Sequence, residues 1–241
     1  MRFQTVFPNI CLCLLMAALP MKSHAAGEPT EVTAEARVRV TGAKPSERHT
    51  NEGVVLWLTP VDAPASARAS TPPGNRLQLA QKNKAFVPHI LVVQVGSTVD
   101  FPNLDPFFHN VFSQFNGKRF DLGLYESGSS RSVRFDRSGV SYIFCNIHPE
   151  MSAVVVSVPT PYFATSTAAG NLVIHDVQPG TYMMHVWAMG GSDSDLAANG
   201  RRISVSGPSV DLGTIALQET MPGPHKNKFG EDYDPKKPSS Y

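Results

Sequence analysis

From residue 31 onward, the most β-like apolar residues of this chain come in short runs of five or six, set off by turn-forming or charged residues. Examples are "ARVRV" (residues 36–40), "ILVVQV" (90–95), "RSVRF" (131–135) and "AVVVSV" (153–158). Runs this short cannot bury a helical face. Their β-branched content and period of two mark strands. The 20 prolines and 18 glycines are spread along the chain and supply the turns between them. The expectation is an all-β protein with no amphipathic helix beyond the N-terminus. A length of 241 residues, 41% hydrophobic, suffices for one large or two small cores.

The first 25 residues read as a secretory signal peptide. Arg2 is an early charge, "ICLCLLMAAL" (10–19) is an apolar stretch too short to span a bilayer, and "SHA" precedes a cleavage point after Ala25. The expected location is therefore the periplasm, with no membrane span in the mature chain. Cleavage removes Arg2 and Lys22, so Lys plus Arg falls from 21 to 19 against 20 Asp plus Glu, and the net charge moves from +1 to about −1. No global field points to nucleic acid or anionic membranes. Cysteine falls from three to one, because Cys11 and Cys13 lie in the apolar run. A single Cys145 cannot form an internal disulfide, so it is either an inert buried thiol or a functional one.

Residues 35–40 and 54–58 read as opening strands, and residues 59–75 as a Pro/Ala/Ser-rich loop. "NLVIHDVQPGTYMMHVWA" (171–188) reads as a hairpin turning near residues 178–180, followed by strands at 201–205 and 210–217. From residue 219 the chain is charged and proline-rich. It is read as a disordered tail whose removal leaves the rest unchanged.

"YIFCNIHPEM" (142–151) places Cys145, His148 and Met151 at three-residue intervals. Thiolate and thioether are soft ligands and imidazole is borderline. With a second, distant histidine they suit copper in a trigonal arrangement with a long axial bond. "VDFPNLDPFFHNVFS" (99–113) offers His109 for that place.

These residues resemble the cupredoxins, the type 1 blue-copper family. The family pattern has Asn and Asp ahead of a ligand His that is followed by Asn, here Asn103, Asp105, His109 and Asn110. It then has a Gly- and aromatic-containing strand leading into the ligand Cys, here Gly139, Tyr142, Phe144 and Cys145, with Phe144 directly before the Cys. The short Cys-x2-His-x2-Met loop is amicyanin-like, where plastocyanin loops are longer. The resemblance covers residues 84–158 and implies a Greek-key β-sandwich holding one type 1 copper through His109, Cys145, His148 and Met151. It further implies that Asn110 ties the two ligand segments together, and that His148 shows its ring edge within a partner-docking patch of Phe107, Phe108 and Pro149, with Pro102 and Met151 as further candidates. "FDLGLY" (120–125) is similar to bacterial proteins described as methylamine-utilisation proteins. Residues 31–60 and 163–218 resemble a carboxypeptidase-regulatory-like, transthyretin-like sandwich, split by insertion of the copper domain.

The resemblance implies an exported one-electron carrier whose partner is a redox protein such as a c-type cytochrome or a dehydrogenase. Alternatives are a copper chaperone or store, or a non-catalytic β-sandwich binding module. An enzyme is not expected. Copper enzymes of this kind place a His beside the copper Cys, whereas Cys145 is flanked by Phe144 and Asn146, and no catalytic triad or phosphate loop is present. Of the other histidines, His24 leaves with the signal peptide. His49, His89 and His225 read as solvated, and His175 with His185, on the expected hairpin, lack the third ligand that a metal site would need.

Overall fold

The computed structural model describes Met1 and residues 33–42, 50–62, 77–114, 117–219 and 226–232. The expected signal peptide, His49, most of the 59–75 loop and His225 lie outside the described residues. The described residues from Thr33 onward belong to one compact unit.

The strands in chain order are β1 (Thr33–Gly42), β2 (Val55–Pro60), β3 (Leu77–Gln78), β4 (Ala80–Lys82), β5 (Ala85–Val87), β6 (Ile90–Gln94), β7 (Thr98–Pro102), β8 (His109–Ser113), β9 (Phe120–Tyr125), β10 (Ser130–Arg134), β11 (Gly139–Phe144), β12 (Ser152–Val158), β13 (Phe163–Thr165), β14 (Asn171–Ile174), β15 (Gly180–Trp187), β16 (Arg201–Val205) and β17 (Ser209–Glu219). The protein is all-β as expected, apart from α1 (Asp193–Asn199). The sequence reading missed this helix although its start signal is present: Ser192 caps it by accepting from the Asp195 N–H at 3.1 Å.

The strands lie in four principal sheets, ordered β14-β1-β17, β13-β2-β15-β16, β6-β12-β11-β8-β9 and β10-β7-β3, with β4-β5 as a separate hairpin. Three apolar layers join them. Ala34, Ala36 and Val38 of β1 pack with Leu56, Leu58, Met184, Ile215 and Leu217 in the first. Val99 and Phe101 of β7 pack with Val111, Ile143, Ala153 and Val155 in another. Between these layers, Val55 and Trp187 meet Val154, Val156 and Val158, and Trp57, Ile90 and Tyr142 pack against them. The "AVVVSV" run is explained by this position. β12 is buried on both faces, so alternation gives way to a continuous apolar run. β1, with one face out, keeps clean alternation: Glu35, Arg37 and Arg39 are exposed.

β1 and β2, which precede the 77–158 segment, pair with β14 and β17, and with β13 and β15, which follow it. The expected 171–188 hairpin is corrected. β14 pairs with β1 and β15 with β2 and β16, so the 175–179 connection crosses between facing sheets. Both strands carry an apolar face, and each is satisfied on its own side of the same core. His175, just past the end of β14, is exposed, and His185, on β15 in the other sheet, is half-buried and stacked on Trp57 at 5.1 Å. The sandwich around Phe101 also begins before residue 84: β3 pairs with β7, and β4 with β5.

Candidate metal centre

β8 and β11 are neighbours through the Phe112–Phe144 pair. His109 opens β8 and Cys145 follows β11, so both ligand segments reach the same end of the sheet. The loop from Cys145 to β12 carries His148 and Met151 and closes on itself: the Cys145 N–H donates to Met151 O at 3.2 Å, and the Met151 N–H to His148 O at 3.0 Å. Cys145, His109 and Met151 are fully buried and His148 is 7% exposed.

Three donor atoms converge there. Cys145 Sγ lies 3.8 Å from His109 Nδ1 and 3.6 Å from His148 Nδ1, and the two nitrogens are 3.1 Å apart. A point equidistant from all three sits about 2.0 Å from each, the length of a metal–imidazole bond. Among the described residues, these three form the one group of His, Cys, Asp or Glu side chains close enough to hold a metal. A thiol with two imidazole nitrogens is the donor set that suits copper, and the residues present fit it. Met151 packs in the same apolar cluster as Cys145 and Ile147.

The protons are arranged accordingly. His109 Nε2 lies 2.8 Å from Asp105 Oδ2. A carboxylate can only accept, so Nε2 carries the proton and Nδ1 presents a lone pair to the centre. Burial, with His109 alongside, pushes the His148 imidazole below its ordinary value, which favours the neutral ring. Burial pushes the Cys145 thiol up, against the pull of backbone N–H groups of Asn110, Ile147 and His148 directed at the sulfur. A bound cation would have to displace that proton, so metal uptake releases one.

Asp105 is itself clamped. It accepts from the Asn83 N–H at 2.6 Å and the Lys84 N–H at 2.9 Å. Asn83 and Lys84 form the two-residue turn of the β4–β5 hairpin, with φ of 56° and 55°, the left-handed pair that such turns require. Burial raises the Asp105 carboxyl, but hydrogen bonds from Lys84, His109 and Asn83 outweigh it and hold the group below the usual carboxylate range. Asn103, fully buried, accepts from the Asp105 N–H at 3.1 Å and donates to Phe107 O and Tyr125 O. The sequence pattern contains Asn103 and Asp105 but assigns them no task. The structure makes them the support of His109. Removing Asp105 with Asp105→Ala should weaken copper binding about 10- to 100-fold, the usual cost of losing such a partner. Competition titration against a chelator would read this, and an unchanged affinity would mean that His109 is oriented without it.

The Asn110 backbone N–H is directed at the Cys145 sulfur and so links the two ligand segments, while its side-chain Nδ2 donates to Asp121 Oδ1 on β9 at 2.8 Å. One site expectation is corrected. Met151 cannot belong to a surface patch, because it is fully buried as part of the closed loop. Phe108 is 45% exposed and Pro149 is exposed, while Phe107 is half-buried with its ring 5.7 Å from that of His148. Leu104 is a further exposed apolar residue, at 57%.

The tail expectation is corrected over residues 226–232. Asn227 Oδ1 accepts from the Phe229 and Glu231 N–H groups, shaping a turn. Lys228 then makes three contacts with residues of the 114–146 segment. Its N–H donates to Asn146 Oδ1 at 3.1 Å, its carbonyl accepts from Gln114 Nε2, and its Nζ pairs with Asp121 Oδ2 at 2.9 Å.

No protein-family model and no curated protein matches the chain. Among solved structures it is similar to a purple cupredoxin from Nitrosopumilus maritimus, at 26% identity over 34% of this chain and 99% of that one, with a TM-score of 0.31. It is also similar to a Cu-containing nitrite reductase from Thermus scotoductus, at 23% identity over 42% of this chain and 25% of that one, TM-score 0.34. An oxidised amicyanin variant matches at 22% identity over 34% of this chain and 82% of that one, TM-score 0.33.

Proposed function

We propose that the chain is a type 1 copper protein of the cupredoxin class that carries single electrons between exported redox partners. The observation that carries this reading is the triangle of His109 Nδ1, Cys145 Sγ and His148 Nδ1, whose common centre lies at bonding distance from all three. Copper bound there would supply a one-electron couple. His109, Cys145 and His148 would hold it, with Met151 as a weak fourth donor.

The chain's own residues favour fast transfer. Asp105 fixes the His109 ring, and the closed loop fixes Cys145 and His148, so the donors have little freedom to move when the charge changes. Burial excludes water from the sulfur. His148 is 7% exposed with the Phe107 ring 5.7 Å from its own, and the exposed Phe108 and Pro149, next to these two in sequence, offer a small apolar rim. A small rim of this kind suits weak, transient redox encounters, with a c-type cytochrome or a dehydrogenase as partner. The periplasmic location rests on the signal-peptide pattern of residues 1–25. Among the described residues, no helix is long and apolar enough to cross a membrane.

Voltammetry of the copper-loaded protein tests the carrier reading: a reversible one-electron wave is expected. Met151→Leu should keep the thiolate colour and raise the potential, because a weak donor that favours copper(II) is gone. An equal potential in both proteins would remove Met151 from the ligand set.

A further inference from the structure

Lys228 lies 82 residues beyond Asn146 and 107 beyond Asp121, yet it touches both. Asn146 is the residue after Cys145. Asp121 accepts from the side chain of Asn110, the residue after His109, and from the Gly123 N–H. The two ligand-bearing segments are thus joined through one residue of the C-terminal segment. The side chain of Asn110 does not bridge them itself. Gln114, just beyond the end of β8, holds the Lys228 carbonyl, so backbone and side chain of Lys228 are both engaged.

We propose that residues 226–232 form a strap across the ligand loop, with Lys228 as a positioning residue that restrains the loop and slows release of the metal. The regulatory part rests on the copper reading above, while the restraint on the loop does not. Three features support the strap. Asn227 organises its own turn, so the strap presents the Lys228 N–H and carbonyl in a set geometry. Asp121 is kept ionised: burial raises its carboxyl, but bonds from Lys228, Gly123 and Asn110 hold it below its ordinary value. Finally, the loop residue the strap grips is the one that leads out of Cys145, where opening of the loop would have to begin.

The test compares the full mature chain with a chain ended after Thr220, which keeps β17 whole, and with Lys228→Glu and Lys228→Arg. Amide hydrogen exchange is followed over residues 145–151 in the metal-free proteins. Exchange should be about fivefold faster or more in the shortened chain, the ratio that one net hydrogen bond represents. Lys228→Glu, which repels Asp121, should follow the shortened chain, and Lys228→Arg should follow the native one. Equal exchange in all four proteins overturns the strap. Transfer of copper(I) to an excess of chelator is then timed, and it should accelerate by a similar factor in the shortened chain and in Lys228→Glu. Faster exchange with an unchanged transfer rate overturns the control of metal release. A protein that takes up no copper would overturn the carrier reading and the control of metal release built on it, and the exchange comparison still decides the strap.

Discussion

On the proposed copper reading, Cys145→Ser is expected to abolish the visible thiolate-to-copper absorption of the copper-loaded protein. The band requires a soft, polarisable sulfur bonded to the metal, and a serine hydroxyl is neither ionised nor soft in this setting. The substitution keeps the side chain's size. The backbone N–H groups of Asn110, Ile147 and His148 that face the sulfur can donate to the serine oxygen, so the fold should survive with only a modest loss of stability. The variant therefore separates chemistry from folding. Absorption spectra after copper(II) loading and oxidation, with circular dichroism as the control for folding, give the answer. A colourless native protein would sink the carrier reading outright, and a coloured serine variant would place the chromophore elsewhere.

Trp187→Ala has the second large effect, on stability. Trp187 is 7% exposed and belongs to the middle apolar layer with Val55, Val154, Val156 and Val158. That layer joins the β13-β2-β15-β16 sheet to the β6-β12-β11-β8-β9 sheet. Removing a buried tryptophan costs about 3–5 kcal/mol, and for a chain of this size about 2–4 °C of melting temperature per kcal/mol. A drop near 10 °C is expected. Because the loss falls on the seam and leaves the other two layers intact, unfolding that is expected to be one calorimetric transition in the native chain should split into two. Retention of one transition at the native temperature would show that the two halves are not joined through this layer.

The donor set was legible early because Cys145, His148 and Met151 sit within seven residues, and local spacing survives folding. Strand identity was legible for the same reason: alternation in β1 and continuity in β12 each state how many faces are covered. The hairpin expected at 171–188 failed because two amphipathic strands joined by a turn read alike whether they pair or face each other across a core. Helix α1 was missed because seven residues with no buried side chain leave no apolar periodicity to detect.

By itself, the sequence determined an all-β chain and the residue types that a copper centre needs, since both are written in neighbours along the chain. Tertiary structure alone decided what holds those residues in place. The β4–β5 turn donates to Asp105 from about 20 positions away, and Asp105 then sets the His109 tautomer. The Asn110 side chain is drawn to β9, and Lys228 reaches from a charged, proline-rich tail to Asn146. A lysine in such a tail carries the same local signal whether it is solvated or paired. Its partners lie some hundred residues away, and only the packing of the sheets brings an acceptor and a carboxylate within its reach.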